Sequence, residues 1–307
     1  MSWLLKSIQF KLISAIPGGR RFYYFTQDHI TKSSHASPLR VEQKINVGLD
    51  FWDWLKKENL TDKLVNGKIL DMGSGWHPTI PLLWHVFGNN HQTLADINVN
   101  MSAGQVSEAV RIFRDIVQAP AWSHRADLKR VPAMPPADAD AAVAALKPLG
   151  IHYKAPYGNH LKSCPEFFDI VTCTQALQHI PQDVQRHIFK ELIHSMKPGG
   201  LFHGTIHFVG HFRSPWLNTG HYEHLSYSPS TWDNWINSSL MGFNRLKARD
   251  YRETLEQAGL RIREFKLTLP TPEDMVELKR TPIHPSFNRY TEEELATRGV
   301  FFVAEKP

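Results

Sequence analysis

The chain lacks the features that mark several specialised classes. It has 2 cysteines among 307 residues, Cys164 and Cys173, too few for a disulfide framework. That suits a reducing compartment, and a cytoplasmic protein is expected. Its net charge of +5 is spread thinly, with no dense block of Lys or Arg and no zinc-finger or basic-helix pattern. No nucleic-acid partner is therefore expected. The opening MSWLLKSIQFKLISAIPGG holds no uninterrupted apolar run, because Lys6, Gln9 and Lys11 break it, and no transmembrane segment is expected. Leu4, Leu5, Ile8, Leu12 and Ile13 fall roughly on one helical face, which fits either a helix packed on its own domain or one lying on a membrane surface. The 17 histidines match no standard zinc spacing, so no metal is expected. There is no internal repeat.

With 42% apolar and 21% charged residues, the chain reads as an ordinary globular protein. Residues 1–66 read as a helical, aromatic-rich cap, densest at FYYF (22–25) and LDFWDWLKKENL (49–60). Residues 67–307 read as a catalytic domain with insertions at about 119–150 and 209–249. Strands are expected at KILDMG (68–73), QTLADIN (92–98), IHYKAP (151–156), FDIVTCTQAL (168–177) and LFHGTIHF (201–208). A helix followed by a strand is expected over 250–269, and a last strand at 300–306. Helices are expected after the first strand, at 101–118, at 138–150 and at 183–200, the last closed by Pro198-Gly199-Gly200. This alternation predicts an α/β, Rossmann-like, doubly wound and mostly parallel seven-stranded sheet with helices on both faces.

Ligands of such sheets bind beyond the carboxyl ends of the strands. Asp71–His77, Asp96, Tyr157–Asn159, Cys173–Gln178 and His207–His211 all fall there. The stretch GKILDMGSGWHP (67–78) runs from a strand into Gly73 and Gly75, which let backbone N–H groups approach a ligand. A third small residue is missing: His77 stands there, between Trp76 and Pro78. Asp96 follows about 20 residues later, the spacing of a carboxylate that accepts both hydroxyls of a ribose. Capping the next helix is the plainer role for it. Trp76, His77 and Pro78 crowd the place of a pyrophosphate, so a nucleoside without phosphate fits better than a dinucleotide.

On these motifs the sequence resembles the class I S-adenosylmethionine-dependent methyltransferases. ILDMGSGWHPTIP matches their first motif and LADIN the acidic second. FFDIVTCTQALQHIP matches the fourth-strand motif, and LIHSMKPGGLFHGTI the helix, turn and strand that follow. The resemblance covers about residues 66–208. The stretch from IHFVGHF to LEQAGL also resembles a narrower bacterial group found in small-molecule and cell-surface glycan biosynthesis. His211 and the NRL-K-x-x-DY segment (244–251) agree with that group. His207, Gly210 and Gly158 depart from it, since the group has acids there.

The resemblance implies S-adenosylmethionine as cofactor and a small molecule or sugar as substrate. It implies that Gly73 and Gly75 face the methionine part, with Asp71 accepting from its ammonium, and that Asp96 holds the ribose. Gly158 and Asn159 would lie near the adenine, and Cys173, Thr174 and Gln175 next to the sulfonium. Trp76 either packs beneath the loop or lines the sulfonium pocket. Tyr23, Tyr24, Phe25, Trp52 and Trp54 either pack the core and lid or offer faces to the cation.

Methyl transfer asks the protein to orient a nucleophile and exclude water. Where a base is needed, His211 is the first candidate and His207 the second; His179 fits better as a residue that holds its loop. A second reading lets the cofactor's own α-amine displace methylthioadenosine, giving azetidine-2-carboxylate. A third is a non-catalytic binding or scaffold protein that keeps the fold after losing its chemistry.

Overall fold

The structure is a computed structural model and describes residues 3–26, 35–122, 127–135, 143–157, 160–210, 220–238, 240 and 242–307. Four helices come first: α1 (Trp3–Ala15), α2 (Gly19–Phe25), α3 (Pro38–Lys57) and α4 (Thr61–Val65). Next are β1 (Ile69–Met72), α5 (Thr79–Val86), β2 (Gln92–Ala95), α6 (Ala103–Val117), β3 (Ile151–Lys154) and β4 (Phe168–Thr174). The chain continues through α7 (Gln182–Ser195), β5 (Met196–His207), α8 (Ala248–Gln257), β6 (Arg261–Thr268), α9 (Pro272–Arg280), α10 (Glu292–Ala296) and β7 (Gly299–Glu305).

The seven strands form one sheet in the order β3-β2-β1-β4-β5-β7-β6. β1 is parallel to β2 and β4, and β2 to β3. β7 runs against β5: Lys306 N–H donates to Gly200 and Phe208 N–H to Arg298, so numbers rise on one strand as they fall on the other. The sheet is thus the expected Rossmann-like, mostly parallel one. Its inner strands are short apolar runs because both faces are covered. Ile69, Leu70 and Asp71 of β1 are buried, as are residues 170–173 of β4.

One boundary differs. The helix expected to run to Gly200 ends at Ser195, and β5 begins at Met196. Gly199 N–H donates to Lys306 at 2.8 Å and Gly200 O accepts from Lys306 N–H at 2.9 Å. The Pro-Gly-Gly turn is therefore taken up as the opening of the ladder with β7. Of the helix expected at 138–150, residues 138–142 lie outside the described residues, and a 3-10 turn at Lys147–Leu149 precedes β3.

The chain divides into two compact units. One consists of Lys32–Thr174, Glu191–His203 and Ala304–Pro307. Here α6 buries Val106, Ala109, Val110, Phe113 and Val117, a single stripe at helical spacing. Ser102 caps it in a reciprocal box with Gln105. Phe51 of α3 stacks on His203 with centroids 4.2 Å apart and meets Trp84 of α5 edge-on at 6.1 Å. Arg130, from the stretch after α6, reaches His85 O at 2.7 Å and Asn90 Oδ1 at 2.6 Å.

The other unit consists of Met1–Thr31, Gln175–Lys190 and Gly204–Val303. Tyr222, Leu225, Leu278, Phe287, Tyr290 and Leu295 form one of its cores. A second core of Trp232, Ile236 and Phe243 takes Phe10 of α1 against it. Lys11 fastens α1 there by donating to the carbonyls of Asp233 and Asn237, both at 2.7 Å. No helix among the described residues is long and apolar enough to cross a membrane.

Candidate functional site

The loop after β1 is folded by its backbone. Gly73 and Gly75 have φ of 74° and 67°, the left-handed region where a side chain is strained. Gly73 and Ser74 N–H both donate to Ala95 O at the end of β2. Gly75 N–H donates to the Asp96 carboxylate at 3.0 Å, and the other carboxylate oxygen accepts from Asn98 N–H at 3.1 Å. Asp96 does not cap α6, since Ser102 does. It joins the ends of β1 and β2 instead. Two of the roughly four acceptor positions of its half-buried carboxylate are used, which leaves capacity for two more donors.

Asp71 is the last residue but one of β1, where the sheet order reverses between β1 and β4. It is buried and accepts from Thr172 Oγ1 of β4 at 2.7 Å. Burial raises its pKa, while the Thr172 hydroxyl and the charge of Lys44 lower it. Lys44, on α3, is lowered by burial and held up by Asp71. Thr172 and Lys44 were not among the expected site residues. The signal for Lys44 was its place on the inward stripe of α3, beside Val41, Ile45 and Gly48. Thr172 is the polar residue inside the buried run of β4.

The missing third glycine is explained by burial. His77 is 7% exposed and sits at the entry to α5, with Pro78 as N-cap. Burial first, then the nearby cations Lys44, Arg40 and His35, lowers its pKa to about 3. It is a neutral imidazole inside the fold rather than a base at the mouth. Its Nδ1 has no partner among the described residues, and neither do the buried hydroxyls of Ser74 and Thr79. Trp76 stays half-buried beside them.

At the end of β4, Cys173 is wholly buried, Thr174 half-buried and Gln175 exposed. Gln175 belongs to the second unit and has φ 57°, a left-handed backbone uncommon outside glycine. Its N–H donates to Thr205 O at 2.8 Å, and its amide nitrogen lies 2.9 Å from His207 Nε2. A donor there makes Nε2 an acceptor and places the ring proton on Nδ1. Burial and the charge of Arg298 lower His207, so it is a neutral base at pH 7. Gln178 donates to Gln175 O at 2.9 Å. Asn244 Nδ2 bonds the carbonyls of Leu177 and Ile180, so the loop is braced from the NRL segment. His179 Nδ1 meets Gly242 O, the loop-holding role expected of it.

Within the first unit the structure brings together Asp71, Gly73, Gly75 and Asp96 at adjoining strand ends. Within the second it pairs Gln175 with His207. Gly158, Asn159 and His211 lie outside the described residues. Trp54 stacks on Phe51 at 6.1 Å and Trp52 on Phe87 at 4.5 Å, while Tyr23 meets Phe10 edge-on at 5.3 Å. These three rings pack the fold.

No protein-family model and no curated protein matches the chain. Solved structures with a similar fold include an S-adenosylmethionine-dependent methyltransferase from Methanosarcina mazei, at 17% identity and TM-score 0.41 over 78% of this chain and 92% of that one. Another, from Mesorhizobium loti, has 15% identity and TM-score 0.42 over 79% and 92%. A third is the [4+2]-cyclase SpnF, at 15% identity and TM-score 0.39 over 81% of each chain. Likenesses this distant carry no residue roles.

Proposed function

We propose that the chain is an S-adenosylmethionine-dependent enzyme that transfers a methyl group to a small molecule or sugar. Asp96 carries the reading. It lies just past the end of β2, accepts from Gly75 N–H at 3.0 Å and keeps acceptor capacity for the two hydroxyls of a ribose. The residues present fit a phosphate-free nucleoside. The left-handed Gly73 and Gly75 put no side chain at those two positions, and a Cβ at Gly75 would meet nothing nearer than Gly73 O at 4.0 Å. Where a third glycine would admit a pyrophosphate, the buried ring of His77 fills the space.

When bound, the cofactor supplies a methyl carbon already activated by a sulfonium. Asp71, held by the Thr172 hydroxyl and within the field of Lys44, would receive the ammonium end. Ser74 and Thr79 bring unused hydroxyls to the same loop. For an acceptor that must lose a proton, His207 is the base: it is neutral near pH 7, and its Nε2 lone pair, held here by the Gln175 amide, would exchange that donor for the substrate's proton.

The test is incubation of the purified protein with S-adenosylmethionine, alone and with a pool of small-molecule acceptors, followed by mass spectrometry. Transfer predicts S-adenosylhomocysteine that depends on the pool. Methylthioadenosine formed from the cofactor alone would replace transfer by cyclisation to azetidine-2-carboxylate. Calorimetry showing no affinity for either the cofactor or its demethylated product would overturn the reading altogether.

A further inference from the structure

The NRL-K-x-x-DY segment takes no part in the reading above, yet it lines a cavity of about 290 Å³. Two cations, Arg245 and Arg289, face that cavity together with Asn244, Leu246, Phe287 and Tyr290. Arg245 is unusual on three counts. It is only 8% exposed, its backbone is left-handed at φ 55°, and no described carboxylate pairs with it.

Its guanidinium lies between two aromatic faces, 4.7 Å from the Trp232 ring and 5.1 Å from Phe287. One terminal nitrogen donates to the carbonyls of His224 and Tyr227, at 3.2 and 2.7 Å. No described residue accepts from its other terminal nitrogen or from Nε. Asp233 is the acid whose field reaches it, and burial lowers it to about 10, so it stays charged at neutral pH. Arg289 is different. It bonds Asp250 at 2.9 Å, and Asp250 also takes the Tyr290 hydroxyl at 2.6 Å. The acid beside the cavity is therefore engaged, and Asp233 acts on Arg245 through its field alone, so no described carboxylate bonds the Arg245 fork.

Two carbonyls and two rings hold one edge and both faces of this cation, and its second edge has no described acceptor. The planar fork of a guanidinium matches a carboxylate or phosphate through two parallel bonds. Phe287, Tyr290, Leu246 and the exposed Pro229 give the cavity an apolar wall beside that charge. We propose that this cavity binds the oxyanion of a small molecule, with Arg245 and Arg289 holding the carboxylate or phosphate and the aromatic wall holding its apolar part. Asn244 lines the cavity and also bonds the loop after β4.

Titration calorimetry on the full chain tests this with two probes at low salt, sodium benzoate and sodium phosphate. We expect saturable binding of at least one in the millimolar range, weakened by added chloride. Preference for benzoate assigns a carboxylate and preference for phosphate a phosphate ester. Equal binding assigns the shared oxyanion chemistry. Arg289→Gln should weaken binding roughly tenfold, the effect of one charged hydrogen bond. Ser286→Glu, on the exposed rim, should abolish it by placing a carboxylate in the cavity, and it leaves the buried Arg245 in place. No binding of either probe, or equal binding in wild type and both variants, overturns the proposal. Cofactor affinity is measured in the same samples, so its failure is read separately.

Discussion

Two stretches of similar length treat their buried polar groups in opposite ways. In Asn244–Tyr251 the polar side chains are mostly saturated. The Asn244 amide donates to Leu177 O and Ile180 O, and its oxygen accepts from Leu246 N–H and the Tyr251 hydroxyl. Lys247, wholly buried, donates to Leu295 O at 3.0 Å. Asp250 takes Lys247 N–H, Arg289 and Tyr290. In Gly73–Thr79 three buried atoms, Ser74 Oγ, His77 Nδ1 and Thr79 Oγ1, have no described partner. A saturated network specifies one arrangement and rigidifies it. Polar atoms left without a partner inside a fold cost stability and call for a partner such as water or a ligand. The first stretch is scaffold, with Arg245 as its one exception. The second is the loop proposed above to take the cofactor.

If that contrast is right, the largest loss of stability should come from the saturated side. Asn244→Ala leaves Leu246 N–H and the Tyr251 hydroxyl without their acceptor and takes one donor from the carbonyls of Leu177 and Ile180, which keep Gln185 Nε2. We expect a loss of about 3 kcal/mol in urea unfolding, since each unmade buried group costs roughly 1–3 kcal/mol. A loss under about 1 kcal/mol would mean the network is decorative. Asp96→Ala should do the reverse, with the larger change in binding. Losing its charged acceptor should weaken S-adenosylmethionine by roughly tenfold or more, about 1.5–3 kcal/mol. Unchanged affinity in calorimetry would remove Asp96 from the site.

The loop's strain also has a pH signature. His77 has a folded pKa of about 3, below its ordinary 6.5, because burial and nearby cations disfavour its charged form. Below pH 6.5 the unfolded chain therefore takes up a proton that the folded chain refuses, and stability falls with pH until about 3. By pH 5 this amounts to about 2 kcal/mol relative to pH 8. His77→Gln should flatten that part of the stability profile, whatever it does to stability at pH 8. An unchanged slope would show that His77 titrates normally.

The outline of the fold was legible because its cues are local. Short apolar runs ending at Gly73 or Asp96 mark strand ends, and the periodicity of 101–118 marks a helix. The extent of β5 was not legible, because Pro198-Gly199-Gly200 also reads as a helix stop. Only the partner strand, through Lys306, turns it into the beginning of a ladder. The same limit applies to the site. Asp96 and the glycines declare themselves by spacing, whereas Thr172 bonds Asp71 from 101 positions away in sequence and Lys44 acts on it through its charge from 27 positions away. The burial of His77 was invisible too, since the letters Trp-His-Pro read equally well as a crowded mouth.

Gln175 offers the smallest and most discriminating change. Its φ of 57° costs about 1–3 kcal/mol for a residue with a side chain, and glycine adopts it freely. Its backbone bonds to Thr205 and from Gln178 survive the substitution to glycine. Only the contact to His207 is lost, at the exposed end of the strand. Gln175→Gly should therefore leave stability unchanged or raise it by up to about 1 kcal/mol. Turnover should fall, because His207 loses the group that orients it. Strain retained for function predicts this split between stability and activity. A stability loss as large as that of Asn244→Ala, with activity intact, would place Gln175 on the scaffold side and undo the contrast between the two stretches.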